Sequence, residues 1–279
     1  MIRLARDRRA EAIHRDFRGD EPLNRLLTLL GEVREQVAAG DPVKPKIPSK
    51  WKDSKDQLLR ESQGKCAYCE TQVTTTYYGD VEHYRPKKVY WWLAYVYDNY
   101  LASCAICNQR YKGADFAISG PQMPGPVLTG AETPDDLAAL ARRFAPDPLD
   151  PLAVSAFEAA HRAEAPQIPN PYIDDPEQVF AWEVFEGIEE VLLIPRPGVP
   201  GAADIVAASE RIFGLNRPDL KRQRYNQWEN YRLAVSVVED AGASAAVRAL
   251  GQELIDSLVT SDSVYAGMVR YFEAQRAIS

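Results

Sequence analysis

The chain has four cysteines, and they form two Cys-x-x-Cys pairs, Cys66/Cys69 and Cys104/Cys107, with none left over. A Cys-x-x-Cys turn brings two thiolates to one side of a metal. Two such turns close a tetrahedron of soft ligands around zinc. In a reducing compartment disulfides are unfavourable, so metal binding is the expected use of these thiols. A closed four-thiolate site leaves no open position for water, so this zinc is expected to be structural rather than catalytic. The constraint on the fold is direct: the 34 residues between Cys69 and Cys104 must leave the metal and return to it. That is longer than a bare zinc ribbon needs. Four unrelated buried thiols are the competing reading, and the matched spacing argues against it.

The enclosed segment carries its own signals. "QVTTTYYGDVEHY", residues 72–84, is rich in β-branched and aromatic residues around a Gly-Asp turn and reads as strand structure. Near its end it carries the dipeptide Glu82-His83. "NQRYKGADF", residues 108–116, predicts a short helix starting just after the second cysteine pair. Upstream, residues 21–40 repeat apolar residues at helical spacing and stop at Gly40 and Pro42. "PVKPKIPSK" then reads as a connector, and "WKDSKDQLLRESQG" as a second helix capped by Gly64. Residues 117–170 are rich in proline and read as an insertion or linker containing one helix, "DDLAALARRFA". Beyond them, "QVFAWEVFEGIEEVLLIP" predicts a hairpin turning at Glu186-Gly187, and four helical patterns follow from Ala203. The expected fold is α+β and mainly helical. It divides into an N-terminal helical region (1–64), a zinc-stabilised core (65–116), the proline-rich insertion (117–170) and a C-terminal hairpin-plus-helix region (171–279).

With 279 residues the chain can bury a sizeable core, and its composition, 46% apolar and 26% charged, is ordinary for a globular protein. No run of about eighteen apolar residues exists to cross a membrane, and the charged N-terminus lacks the apolar stretch of a signal peptide, so a cytoplasmic location is expected. Net charge is −7. A protein that coats nucleic acid with its whole surface is usually basic, so any such contact must come from a local patch or from a partner.

The segments "CAYC", "VEHYRPK" and "DNYLASCAICN" resemble the HNH (ββα-metal) endonuclease family in its zinc-stabilised form. Within it the chain most resembles the PtuB branch, the HNH component of Septu anti-phage defence systems, over most of its length and weakly across residues 117–168. The resemblance implies a metal-dependent nuclease, with DNA as the expected substrate and a partner ATPase, PtuA in Septu, that gates cleavage. It also implies roles. His83 would be the general base, Glu82 and Asn108 oxygen ligands of a catalytic Mg²⁺ or Mn²⁺, and Asn99 the residue that fixes loop geometry and orients the histidine. The family often has Asp where this chain has Glu82, and His where it has Asn108. Each residue has a plainer reading. Asn108 could cap the helix that begins there, and Asn99 could be a turn residue. His14 and His161 have no comparable context and read as structural.

Residues 82–112 carry Arg85, Lys87, Lys88, Arg110 and Lys112 against Glu82 and Asp98, a local excess of positive charge in an acidic chain. These five are candidate phosphate contacts, with a solvated polar face as the equal alternative. The aromatic run "YWWLAYVYDNYL" is expected to pack in the core rather than stack on bases. A second class of function stays open: a zinc-ribbon module that binds nucleic acid or protein and performs no chemistry. The helical terminal regions are candidate docking elements for a partner.

Overall fold

The computed structural model of the chain describes residues 1–75 and 78–277. Helix α1 (Asp20–Ala39) buries Leu26, Leu29, Leu30 and Val33 along one stripe and ends at Gly40, whose left-handed backbone donates its N–H to the carbonyls of Gln36 and Val37. Residues 51–64 do not form one helix. Trp51–Ser54 is a 3₁₀ turn leading into α2 (Lys55–Glu61), and Gly64 (φ +70°) closes that end as expected.

The expected strand segment is shorter than its composition suggested. Among its described residues only Asp80–His83 (β1) forms a strand, with one isolated bridge at Gln72; Thr76 and Tyr77 lie outside the described residues. β1 pairs antiparallel with β2 (Tyr100–Ser103), setting Glu82 opposite Leu101 and His83 opposite Tyr100. The next helix begins within the second cysteine pair rather than after it. Ile106–Lys112 is a π-helix, closed by the Gly113 N–H donating to Asn108 O.

Two helices, not one, occupy the proline-rich region. α3 (Pro134–Phe144) starts from a Thr133/Asp136 capping box, and α4 (Pro151–Glu164) from an Asp150 cap, each with proline in its first turn. Strands β3 (Phe180–Phe185) and β4 (Glu190–Pro195) form the predicted hairpin, turning through Glu186–Ile188. The four expected helices follow as α5 (Ala202–Phe213), α6 (Pro218–Glu239), α7 (Ala245–Leu258) and α8 (Ala266–Arg276).

Among the described residues three apolar clusters hold these elements, and they do not follow the compositional divisions. The largest joins the cysteine turns, Tyr68 and Tyr84 to Phe180, Trp182, Phe213, Trp228 and Met268 of the C-terminal hairpin and helices. A second joins α1 to Tyr90–Val96, α3 and Phe157 of α4. A third places Ile13, Phe17 and Leu58 against Val81, Tyr97 and Tyr100. The aromatic run packs as expected: every residue from Tyr90 to Tyr97 is less than one-tenth exposed. No helix among the described residues is long and apolar enough to cross a membrane.

Candidate active site

The four cysteine sulfurs lie within 4.8 Å of one another, with Cys69 Sγ 3.9 Å from Cys104 Sγ. A tetrahedron with Zn–S bonds of about 2.3 Å has sulfurs about 3.8 Å apart, so the cluster fits a zinc ion. Its surroundings fit too. The Cys107 N–H donates to Cys104 Sγ, and the Arg217 guanidinium lies 3.8 Å from Cys107 Sγ, where it offsets thiolate charge. The ring of Tyr68 stacks on Phe213 at 3.9 Å, and the Ala67 N–H donates to Ala102 O of β2. The cysteine cluster is therefore fastened to the C-terminal helices on one side and to the β1–β2 hairpin on the other.

Strand alternation divides β1 into two faces. Val81 and His83 share one; Asp80 and Glu82 share the other, toward the π-helix. His83 is buried. Its Nε2 lies 3.1 Å from Ala94 O, and its ring is held edge-on by Trp51 at 4.8 Å and Tyr100 at 5.1 Å. A carbonyl can only accept, so Nε2 carries the proton and Nδ1 keeps a lone pair. Burial, with the Lys87 and Lys112 cations nearby, lowers the His83 pKa to about 3, so the ring is neutral at neutral pH.

Asn99 is fully buried. Its side chain accepts from the Arg85 N–H at 2.8 Å and donates to the carbonyls of Arg85 (3.1 Å) and Leu93 (3.3 Å). It thereby clamps the loop from Arg85 to Leu93, next to the Ala94 carbonyl that holds His83. On the other face, Glu82 pairs with the Lys112 ammonium at 2.5 Å, and that ammonium also donates to His83 O at 3.0 Å. Burial pushes the Glu82 carboxyl up, against the pull of Lys112. Asn108 lies inside the π-helix, not at its N-cap, which removes the capping explanation. Its amide nitrogen donates to Asp80 Oδ2 at 3.2 Å, so its carbonyl oxygen is the end left for another partner.

Glu82, His83 and Asn108 all line one cleft of about 620 Å³. The opposite wall comes from the expected connector, through Lys44 and Ile47, and from the start of the expected second helix, through Trp51, Lys52 and Lys55. Sequence reasoning passed over these residues, and over Asp80. A signal was present, since residues 44–55 carry five lysines against Asp53 alone.

The five candidate phosphate contacts separate. Lys87 and Lys88 line the cleft, and Lys87 Nζ sits 4.9 Å from the Trp51 ring centre. Arg110 is exposed but lies outside the cleft lining. Arg85 and Lys112 require correction: both are buried and engaged inside the protein. Arg85 is fully buried, with Nε donating to Glu164 Oε2 at 2.7 Å and a terminal nitrogen 3.1 Å from His161 Nδ1. A buried guanidinium needs a buried carboxylate, and the insertion provides it. Glu164 also accepts from Tyr90 OH and the Met123 N–H. His161, which read as structural without a partner, is held at its other nitrogen by Asp174 at 3.0 Å. The role of the insertion that the sequence left open is in part this: α4 anchors the loop that follows His83.

Over 77 residues the chain is 38% identical to the Septu protein PtuB of Bacillus mycoides (strain KBAB4), a stretch covering 23% of this chain and 26% of that protein. The chain is thus PtuB-like across about a quarter of that relative's length. No family model matches, and no solved structure matches.

Proposed function

We propose that this chain is a metal-dependent HNH-type endonuclease, a cytoplasmic effector of anti-phage defence that hydrolyses DNA in concert with a PtuA-like ATPase. The observation that carries the reading is the convergence of Glu82, neutral His83 and Asn108 on one cleft, with Lys87 and Lys88 at its edge. The similarity to Septu PtuB supports the defence setting and the partner.

Phosphodiester hydrolysis needs an activated water, an electrophilic phosphorus and neutralisation of developing charge. The lone pair on His83 Nδ1 takes a proton from the attacking water. As the water oxygen bonds to phosphorus, the bond to the leaving sugar oxygen breaks. Ala94 O fixes the imidazole by accepting from Nε2–H, while Trp51 and Tyr100 restrict its rotation. Asn99 acts through the loop, keeping Ala94 in place. Glu82 and Asn108 offer oxygen donors suited to Mg²⁺ or Mn²⁺, which when bound would polarise the scissile phosphate. Lys112 holds one Glu82 oxygen, which orients the carboxylate.

The test is plasmid cleavage with Mg²⁺ or Mn²⁺ by the wild-type chain and by His83→Ala, each with and without the candidate ATPase. Loss of cleavage in the variant, with zinc content retained, is the expected result. Cleavage indifferent to the substitution sinks the mechanism. DNA binding without cutting under every condition returns the chain to the zinc-ribbon module class.

A further inference from the structure

The chain is acidic overall, yet five lysines, Lys44, Lys52, Lys55, Lys87 and Lys88, line a single cleft. Ion pairs elsewhere engage most of the chain's arginines, but none of these five lysines makes one among the described residues. Among the described residues of the lining Asp80 and Glu82 oppose them, and Glu82 is already paired with Lys112. A concave site with cations of one sign on both walls focuses positive potential far beyond what its net charge suggests. Two of the five come from the loop after β1. The other three come from residues 44–55, a separate part of the chain brought across the cleft.

What holds that second wall in place is also visible. Tyr95 OH donates to Pro48 O at 2.9 Å, Gln36 bonds both backbone groups of Lys44, and the Glu32 carboxylate accepts from the Lys46 N–H. Trp51 packs its ring against His83. The three prolines of "PVKPKIP" restrict the backbone and remove donors, so the segment is braced as an extended strap. Among the described residues the Lys44, Lys52 and Lys55 side chains of this wall make no hydrogen bond or ion pair; Lys44 and Lys52 are exposed and Lys55 half-buried.

We infer that residues 44–55 form a backbone-tracking wall for nucleic acid, in which Lys44, Lys52 and Lys55 bind phosphates on the side of the scissile bond opposite Lys87 and Lys88. This deepens the nuclease reading by naming how the same cleft grips its substrate, and it rests on that reading only for the word scissile. The lysines are point charges on flexible stems, so the grip is indifferent to base sequence. Because the wall and His83 meet at Trp51, a bound strand is delivered against the base rather than elsewhere on an acidic surface.

The experiment measures binding apart from cleavage. The full chain is titrated against labelled single-stranded DNA, its duplex and RNA of the same sequence, without added divalent cation, across a salt series. Removing three phosphate contacts in K44Q/K52Q/K55Q is expected to lower affinity roughly 10- to 100-fold and to flatten the slope of log affinity against log salt by about one per lysine. K44R/K52R/K55R keeps the charge and is expected to keep the slope. R142Q/R143Q, which removes cations on α3 away from the cleft, leaves the slope near wild type. Zinc content and circular dichroism confirm that each variant folds. An unchanged slope in the glutamine variant, an equal drop in the α3 control, or no binding of any of the three probes by the wild type overturns the wall. Lysine-dependent binding without metal-dependent cutting upholds the wall and removes the nuclease. Cutting that persists with an unchanged slope does the reverse.

Discussion

At the scale of single residues, the candidate site turns on how one imidazole is held. His83 sits between an acceptor-only carbonyl and two aromatic edges, a setting that favours a neutral ring. Its pKa falls from 6.5 to about 3 on folding. A base depressed in the folded state contributes stability above its unfolded pKa. That contribution is lost as pH falls from about 6.5 toward 3, because only the unfolded chain takes up the proton. Thermal unfolding followed over this range should therefore show a steeper loss of stability for the wild type than for His83→Asn. Parallel curves would mean the ring is not buried neutral. In cleavage, loss of a positioned base should cost about 100- to 10,000-fold. Asn99 shows what sequence alone could and could not give. The resemblance pointed to the position, but its three contacts are all with backbone groups, of Arg85 and Leu93, that only the folded loop brings to it. Asn99→Ala leaves the buried Arg85 N–H without an acceptor and should cost about 1–3 kcal/mol in urea unfolding. Cleavage should fall with it, since the Ala94 carbonyl loses its brace.

At the scale of elements, the cysteine turns act as the fixed point for the hairpin and the π-helix. Cys69→Ala should release about one equivalent of zinc, read by metal analysis, together with loss of the fold around β1 and β2. A stable, zinc-loaded variant would contradict the four-thiolate site. The far side of this element rests on Gly214, which ends α5 in left-handed backbone at φ +59°. A Cβ there would stand 2.3 Å from the Tyr111 ring of the π-helix. Backbone strain and overpacking together predict that Gly214→Ala destabilises the protein by about 2–4 kcal/mol. The glycine was legible as a helix end. Its contact with Tyr111 was not, because the π-helix itself has no simple sequence signature.

At the scale of the whole molecule, the C-terminal region looked like a second unit because its composition and periodicity change after residue 170. The packing differs: Tyr68 stacks on Phe213, and the cysteines share one apolar cluster with Phe180, Trp182 and Trp228. A chain ending at residue 170 would expose that surface. It should fail to retain zinc and lose its near-ultraviolet circular dichroism, whereas an independent N-terminal unit would keep both. The insertion is likewise bound in, through the buried pair of Arg85 and Glu164. Arg85 read as a phosphate contact because it lies two residues from His83 in a basic run, and strand-face arithmetic could not show that a helix 79 residues later would cover it.

By itself the sequence determined the local and chemically specific features. Matched cysteine spacing set the metal cluster, helical periodicity set α1 and α5 to α8, and the Glu82-His83 context set the place to look for chemistry. These are legible because ligand number, turn geometry and side-chain period act over a few residues at a time. Tertiary structure decided which charges face the cleft. Arg85 and Lys112 turn inward because α4 and the β1 carboxylate bury and neutralise them, while Lys44 arrives from a proline-braced strap, and Lys52 and Lys55 from the 3₁₀ turn and the first residue of α2, on the opposite wall. Whether a cation is a structural partner or a surface charge depends on what packs over it, and that partner can come from anywhere in the chain.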